Sequence, residues 1–193
     1  IQDAVTGSGW YHVRMPRGHG KTSYVKGGIA YALSFGFRKY VVAVAAAGGN
    51  ASAMLRDVFA LFERSHTFAE DFPEIAVPLR ALDGKTQRAK SLTVKGQPCN
   101  IRVNAQEIYL PTVAGYPSSG GILNAVGFQA NARGKVRGSL RPDLVIFDDL
   151  QDEELAKNQD RVREAEQNIE KNFLNLGGHT KTIAALMTST PIE

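Results

Sequence analysis

Three short and continuous apolar runs limit the folds that this sequence can adopt. They are "KYVVAVAAA" at 39–47, "DLVIFDDL" at 143–150 and "KTIAALMTST" at 181–190. A strand exposed on one face alternates between apolar and polar residues, whereas a strand buried on both faces is apolar throughout. Segments with helical spacing of apolar residues flank the first of these runs, at 21–35 before it and at 52–65 after it. The pattern predicts an α/β fold with a mainly parallel central sheet and helices on both faces.

The sequence also predicts roles for individual residues in the two helices. In the first we expect Tyr24, Ile29 and Leu33 to contact the core, because they recur at helical spacing. The second follows "GGN", so the side chain of Asn50 or Ser52 is the predicted N-terminal cap.

The middle of the chain differs from both flanks. Residues 66–121 contain several prolines and short alternating runs such as "NIRVNAQEIYL". They predict a small β-rich insertion at an edge of the sheet. Residues 152–176 are highly charged and predict a long helix. A length of 193 residues suits a single domain, 1–193, that contains the insertion.

Charge is distributed unevenly along the chain. Residues 142–193 carry a net charge of −6, and the remainder carries +10. The excess of basic residues before residue 142 favours a polyanion such as nucleic acid as a partner. A mixed surface with one acidic helix explains the same distribution of charge. Cys99 is the single cysteine, so an internal disulfide is excluded. No apolar run approaches the roughly eighteen residues of a membrane span, and no membrane association is expected.

The segment "RGHGKT" at 17–22 lies between a partly apolar run and a predicted helix. Glycines at this position let backbone N–H groups approach phosphates at a helix N-terminus. Lys21 would reach the outer phosphates, and the hydroxyl of Thr22 would bind Mg²⁺. The strict phosphate-loop pattern requires a glycine where this chain has Met15. An ordinary strand-to-helix turn is therefore the alternative.

The apolar run "DLVIFDD" ends in two acids, Asp148 and Asp149. A carboxylate in this position can hold Mg²⁺, and the next acid can polarise the attacking water. The alternative is that the acids cap the following helix, an interpretation that we prefer for Asp152, Glu153 and Glu154. Ligands of parallel sheets bind beyond the carboxyl ends of the strands. The glycine loop, the two acids and the end of the last run all lie at that edge.

The loop "NARGKVRG" at 131–138 precedes the acidic strand. Its basic residues are Arg133, Lys135 and Arg137. An arginine near the γ-phosphate would stabilise the charge of a transition state, within one subunit or from a neighbour. A solvated basic loop that touches DNA phosphates is an equally good interpretation.

In this order, "RGHGKT", "RPDLVIFDDLQDEE" and "LMTSTP" resemble the ATPase domain of the large terminase subunit, the DNA-packaging motor of tailed phages. The resemblance extends from about residue 10 to 191 and is weakest in 66–121. It implies a P-loop NTPase fold of the ASCE, RecA-like type, an ATPase activity and the cofactors ATP and Mg²⁺.

The resemblance also implies roles for individual residues. The family often has an arginine four residues before the lysine, and Arg17 stands there. Asp148 matches the metal-binding acid, and Asp149 stands where the family usually has a catalytic glutamate, with Asp152 or Glu153 as alternatives. Arg137 best matches an arginine finger that acts on a neighbouring subunit.

The implied ATP-binding residues are Arg17, Gly18, His19, Gly20, Lys21 and Thr22. The implied metal ligands are Thr22 and Asp148. The implied coupling residues are Ser189 and Thr190, followed by Pro191.

The resemblance further implies partners: double-stranded DNA, a portal protein, a small terminase subunit and further copies in a ring. It places the protein in the cytoplasm of an infected bacterium. We expect a motor domain cut from a longer protein, without the terminase nuclease domain. A helicase-like ATPase and a DNA-binding packaging module that no longer hydrolyses ATP are the alternatives. A GTPase is disfavoured, because the sequence has no NKxD-type guanine-reading motif.

Overall fold

The description of the fold rests on a computed structural model. It describes residues 1–83, 92–94, 96–130, 140–150, 158–178 and 183–191. The strands of this part are β1 (Trp10–Arg14), β2 (Tyr40–Ala45), β3 (Thr93–Val94), β4 (Gln97–Pro98), β5 (Arg102–Val103), β6 (Glu107–Tyr109), β7 (Ile122–Gly127), β8 (Leu144–Asp148) and β9 (Ala184–Ser189). Its α-helices are α1 (Gln2–Thr6), α2 (Lys21–Ser34), α3 (Gly48–Arg64), α4 (His66–Asp71), α5 (Pro73–Arg80) and α6 (Gln159–Asn168).

Seven of the described strands form one sheet in the order β1-β9-β8-β2-β7-β6-β5. The first five strands in this order, β1, β9, β8, β2 and β7, pair in parallel. β6 pairs antiparallel to β7, and β5 pairs antiparallel to β6. β3 and β4 form a separate antiparallel pair. Since β9 lies between β1 and β8, the ends of these three strands are adjacent at one edge.

The central strands β2, β7 and β8 are buried along their whole length. Alternate residues of β2 belong to two different cores, with Val41 and Ala43 on one face and Val42 and Val44 on the other. The first core packs against α1, α2, α3 and α5. The second packs against α6 and the two helical turns after it, a π-helix at Ile169–Phe173 and a 3-10 turn at Leu174–Gly177. Burial on both faces explains the continuous apolar runs.

The predicted α/β architecture with a mainly parallel sheet is confirmed. The helix predicted at 21–35 spans Lys21–Ser34, and Ile29 and Leu33 are buried as expected. The prediction for Tyr24 is wrong, because its side chain is 58% exposed and its ring lies beside Gly20. The predicted cap of α3 is also wrong. This helix begins at Gly48 without a side-chain cap, where its backbone packs closely against Gly127.

The prediction of a β-rich segment at 66–121 needs a correction. Its first part is helical, since α4 and α5 cover most of 66–80. The prolines were misleading, because Pro73 occupies the first position of α5, where a proline costs no helical hydrogen bond. The later strands β5 and β6 extend the main sheet. The predicted helix at 152–176 is helical from Gln159 onward, and residues 151–157 lie outside the described part.

The amino ends of the parallel strands are joined by Arg38 and Asp143. The Arg38 guanidinium donates to the carbonyls of Val5 (2.7 Å), Ala4 (3.2 Å) and Asp143 (3.3 Å), and also to that of Gly7. The Asp143 carboxylate accepts the backbone N–H groups at the start of β2, from Lys39 at 2.8 Å and Tyr40 at 3.0 Å. Burial raises the pKa of Asp143 above its ordinary value of 3.8. These groups tie α1, β2 and β8 together through backbone partners.

Within the described ranges, no helix is both long enough and apolar enough to cross a membrane.

Candidate functional site

The loop after β1 is anchored to β9 and shaped by two glycines. The Met15 N–H donates to the carbonyl of Ser189 at 3.1 Å, which joins the start of the loop to the end of β9. Gly18 and Gly20 have φ angles of 81° and 73°, in the left-handed region. A Cβ atom makes this region costly, so these positions favour glycine. The loop therefore reaches α2 in a conformation that exposes backbone groups at the helix N-terminus.

Lys21 is the buried cation of the site, with only 8% of its surface exposed. Its Nζ donates to Thr190 Oγ1 at 2.7 Å and to the Met15 carbonyl at 3.2 Å. It also lies 3.8 Å from Asp149 Oδ2. A buried ammonium needs such partners, and two of these three come from side chains that can rotate. The charge of Lys21 is therefore compensated by groups of the protein itself.

Asp148 ends β8 and is held at both carboxylate oxygens. Thr22 Oγ1, in the first turn of α2, donates to Oδ2 at 2.9 Å. Thr188 Oγ1 on β9 lies 2.9 Å from Oδ1. The Asp148 side chain is 8% exposed, so hydroxyl groups of the protein take the place of water as its partners. The predicted metal ligands Thr22 and Asp148 are thus adjacent.

Asp149 follows in a strained backbone conformation. Its φ is 46°, unusual for a residue other than glycine, and its N–H donates to the Thr188 carbonyl at 3.1 Å. Its carboxylate accepts a hydrogen bond from Thr190 Oγ1, which lies 3.1 Å from Oδ2. The side chain is 40% exposed. Lys21, Thr190 and Asp149 form a continuous chain in which Thr190 accepts from the lysine and donates to the acid.

A cavity of about 340 Å³ opens beside these groups. It lies between the carboxyl ends of β2 and β8 and the helices α2 and α3. Its lining includes Thr22, Asp148, Asp149, Lys26, Asn50 and Asp57. Lys26 Nζ forms an ion pair with Asp57 Oδ2 at 2.6 Å across the two helices. The cavity gives a ligand access to both acids.

The donor set fits Mg²⁺ held together with phosphates. Among the described residues, no group of three or more His, Cys, Asp and Glu side chains is arranged to hold a metal alone. Mg²⁺ usually takes one or two protein oxygens and completes its shell with water and substrate phosphates. The Thr22 hydroxyl and the Asp148 carboxylate, 2.9 Å apart, supply such oxygens. We therefore expect a metal here to arrive with a nucleotide.

Several predicted site residues lie elsewhere. Arg17 and His19 are exposed on the loop, and within the described part of the chain the contact made by His19 is to the Arg17 carbonyl, at 3.2 Å. Ser189 lies on the opposite face of β9 from Thr188, where its Oγ is 2.7 Å from His12 Nε2. Of the two residues predicted to couple hydrolysis to motion, Thr190 contacts an acid, and Ser189 contacts His12. Arg137 lies outside the described residues, as do Arg133, Lys135, Asp152, Glu153 and Glu154.

No catalytic or binding role was expected for Thr188, Lys26 or Asp57, and Asn50 was expected only as a cap of α3. The spacing in the sequence could have indicated Lys26, because it comes four residues after Thr22 and therefore lies on the same face of α2. The spacing could also have indicated Thr188, because two-residue alternation along β9 places it on the same face as Thr190. Asn50 and Asp57 reach the cavity through the packing of α3 against α2, which the sequence pattern does not specify.

Comparison with solved structures identifies the fold. One similar structure is described as the Phi-28 gp11 DNA packaging motor, with a TM-score of 0.50 and 15% identity over 94% of this chain and 46% of that chain. Another is the HK97 bacteriophage large terminase, with a TM-score of 0.40 and 18% identity over 97% of this chain and 30% of that chain. The chain thus spans less than half the length of either protein. No protein-family model matches the sequence, and no curated protein matches it.

The likeness to the packaging motor shows that this chain shares the α/β fold of that protein, and the assignment to the P-loop ATPases remains a prediction. At this identity it concerns the fold, and the roles of the individual site residues remain predictions.

Proposed function

We propose that this chain is an ATP-hydrolysing motor domain of a viral DNA-packaging machine. The observation that carries the proposal is the side-chain network at the carboxyl edge of the sheet. It joins Lys21 to Asp149 through Thr190 and joins Thr22 to Asp148. A buried lysine, a threonine and two acids next to a glycine loop are the groups that phosphoryl transfer requires. A solved structure with a similar fold is described as a DNA packaging motor.

Phosphate binding would use the loop and Lys21. The left-handed glycines Gly18 and Gly20 let the backbone approach the phosphates, and the N-terminus of α2 adds the favourable end of its dipole. Lys21 would leave Thr190 and donate to the outer phosphates. Arg17, exposed at the rim of the loop, would reach the γ-phosphate after a change of rotamer.

The metal would be held by Thr22 and Asp148. When bound, Mg²⁺ neutralises charge on the phosphate oxygens and orients them. The Thr22 hydroxyl can keep its donated hydrogen bond to Asp148 while its oxygen lone pairs remain available to a cation.

Asp149 would orient the attacking water and accept its proton. Water attacks the γ-phosphorus, the bond to the β,γ-bridging oxygen breaks, and ADP and phosphate leave. In the free protein, Lys21 lies 3.8 Å from Asp149 Oδ2. Movement of Lys21 toward the nucleotide would release this carboxylate for the water. Thr190 contacts both groups, so it would transmit the change to β9.

The DNA partner is proposed from charge and fold together. The part of the chain before residue 142 carries a net charge of +10, which suits a phosphate backbone. Double-stranded DNA, a portal protein, a small terminase subunit and a ring of further copies would complete the machine in the infected bacterium. Arg137 would act on the nucleotide of a neighbouring copy.

Phosphate release by the purified protein, measured with and without double-stranded DNA, tests the proposal. We expect Lys21→Ala and Asp148→Ala each to lower turnover by at least about 100-fold, because Lys21 would neutralise charge on the transferred phosphoryl group and Asp148 would hold the metal that does the same. Lys171→Ala is the control, since Lys171 is exposed on a different part of the surface. Undiminished turnover in either site variant would refute the site. Metal-dependent nucleotide binding without turnover, even with DNA present, would favour the packaging module that does not hydrolyse ATP.

A further inference from the structure

The Asp148 carboxylate has a second partner that the proposed chemistry does not use. Thr188 is 1% exposed, and its Oγ1 lies 2.9 Å from Asp148 Oδ1 and 3.4 Å from the Phe147 carbonyl. A hydroxyl has one proton to donate. If it pointed at the carbonyl, hydroxyl lone pairs would face a carboxylate oxygen at 2.9 Å. The shorter, charge-assisted bond is favoured, so Thr188 donates to Asp148.

The sheet register makes this contact a fixed part of the fold. Asp148 on β8 is the direct partner of Thr188 on β9, and parallel pairing places both side chains on the same face. That face is also the one that α2 covers, so Thr22 approaches the other carboxylate oxygen. Two hydroxyls on two different elements thus hold the two oxygens of one buried carboxylate.

We propose that Thr188 is a positioning residue for the divalent cation that accompanies the nucleotide. By holding Oδ1, it restricts rotation of the Asp148 carboxylate and keeps Oδ2 beside Thr22. Residues that orient a metal ligand in this way typically change metal affinity by 10- to 100-fold when they are lost. The inference rests on the proposed function, because it requires the metal–nucleotide complex to bind at this edge.

The neighbouring threonine on the same face shows a parallel arrangement. Thr190 donates to Asp149 just as Thr188 donates to Asp148. β9 and the residue that follows it therefore present one hydroxyl to each of the two acids. Thr190 also contacts Lys21, so a variant there would disturb several groups at once. Thr188 makes no contact with Lys21 in the described part of the chain. Removal of the Thr188 hydroxyl therefore tests metal binding without disturbing the lysine.

The experiment titrates Mn²⁺ into the protein with a fluorescent, non-hydrolysable ATP analogue and records the half-saturating metal concentration. Thr188→Val keeps the branched shape and removes the hydroxyl, and Thr188→Ser keeps the hydroxyl. We expect an increase of about 10-fold for the valine variant and less than about 2-fold for the serine variant. Binding of the analogue in EDTA is expected to be unchanged in both variants. Thr67→Val repeats the chemical change on exposed α4 and serves as a control.

Two results would overturn the inference alone. One is a half-saturating Mn²⁺ concentration in Thr188→Val equal to that of wild type. The other is an equal loss of binding in Mn²⁺ and in EDTA, which would indicate a merely structural role. Thr188→Ala provides the same comparison if the valine variant does not fold. A wild-type protein that binds no analogue with or without metal would instead overturn the proposed function, and this inference with it.

Discussion

One end of the parallel strands carries a cation and one acid, and the other end carries a cation and two acids, but the two groups have different kinds of partner. At the amino end, Arg38 and the Asp143 carboxylate are hydrogen-bonded to backbone groups. At the carboxyl end, Lys21 and the acids Asp148 and Asp149 bond mainly to threonine hydroxyls. A cavity of about 340 Å³ opens beside the second group.

This difference separates a structural charge from one that can bind a ligand. A carbonyl or N–H at a strand end cannot turn away without breaking the fold, so the charges at the amino end are committed to stability. A threonine hydroxyl rotates at low cost, so Lys21 can exchange Thr190 for a phosphate. The comparison predicts that changes at the amino end reduce stability, whereas changes at the carboxyl end reduce turnover.

The largest expected effect on stability comes from the amino end. Arg38→Ala would remove the donor of the Ala4, Val5 and Gly7 carbonyls, and each buried acceptor without a partner costs about 1–3 kcal/mol. The Asp143 carbonyl would keep the Ala184 N–H at 3.1 Å. Because some of these carbonyls can reach water, we expect a total loss of about 3 kcal/mol in the free energy of unfolding. Urea denaturation measures this loss.

Turnover per folded molecule is the control in this experiment, and Arg38→Ala should leave it close to wild type. A variant with full stability and lost turnover would reverse the assignment of the two ends.

A smaller effect is expected from the strained backbone at the carboxyl end. Asp149 has a φ of 46°, a conformation that costs a residue with a Cβ about 1 kcal/mol or more relative to glycine. Asp149→Gly and Asp149→Ala both remove the carboxylate, and only the alanine variant keeps the Cβ atom that causes this strain. We expect the glycine variant to be the more stable by about 1 kcal/mol in urea denaturation. Both should lose turnover, and an alanine variant as stable as glycine would contradict the strain.

The smallest effect concerns pH and Asp143. The pKa of this carboxyl is raised by burial in the folded protein, so the unfolded chain loses its proton first as the pH rises past 3.8. The contribution of Asp143 to the free energy of unfolding is therefore greatest below pH 3.8. It falls as the pH rises, until the pH passes the raised pKa of the folded protein. Asp143→Asn lacks this dependence. Denaturation of both proteins between pH 3.5 and 7 should show wild type losing stability relative to the variant as the pH rises, and a relative gain would contradict the prediction.

The parts of the fold that could be predicted are those that leave a local trace. The strands β2, β8 and β9 are buried on both faces and appear as continuous apolar runs. Asp148 is recognisable because it ends such a run. The two acids, the glycine loop and Thr190 were expected at one edge, since parallel strands bring their carboxyl ends together.

Other features depend on contacts between distant segments and leave no such trace. Thr188 meets Asp148 because of the register between β8 and β9, and no pattern within either strand specifies that register. Arg38, within "GFRKY", resembles an ordinary surface charge until α1 and β8 are placed beside it. Pro73 and Pro78 argued against a helix in this segment, although α5 contains Pro73 at its start and Pro78 in its interior. Local composition cannot distinguish a proline at the start of a helix from one that ends a helix.

The most direct measurement is a crystal structure of the protein with a non-hydrolysable ATP analogue and Mg²⁺. We expect Lys21 Nζ to leave Thr190 and contact the γ-phosphate. We also expect the metal between Thr22 and Asp148, and the Asp149 carboxylate next to the γ-phosphate. A nucleotide bound elsewhere, with Lys21 still donating to Thr190 at about the present 2.7 Å, would contradict the central claim.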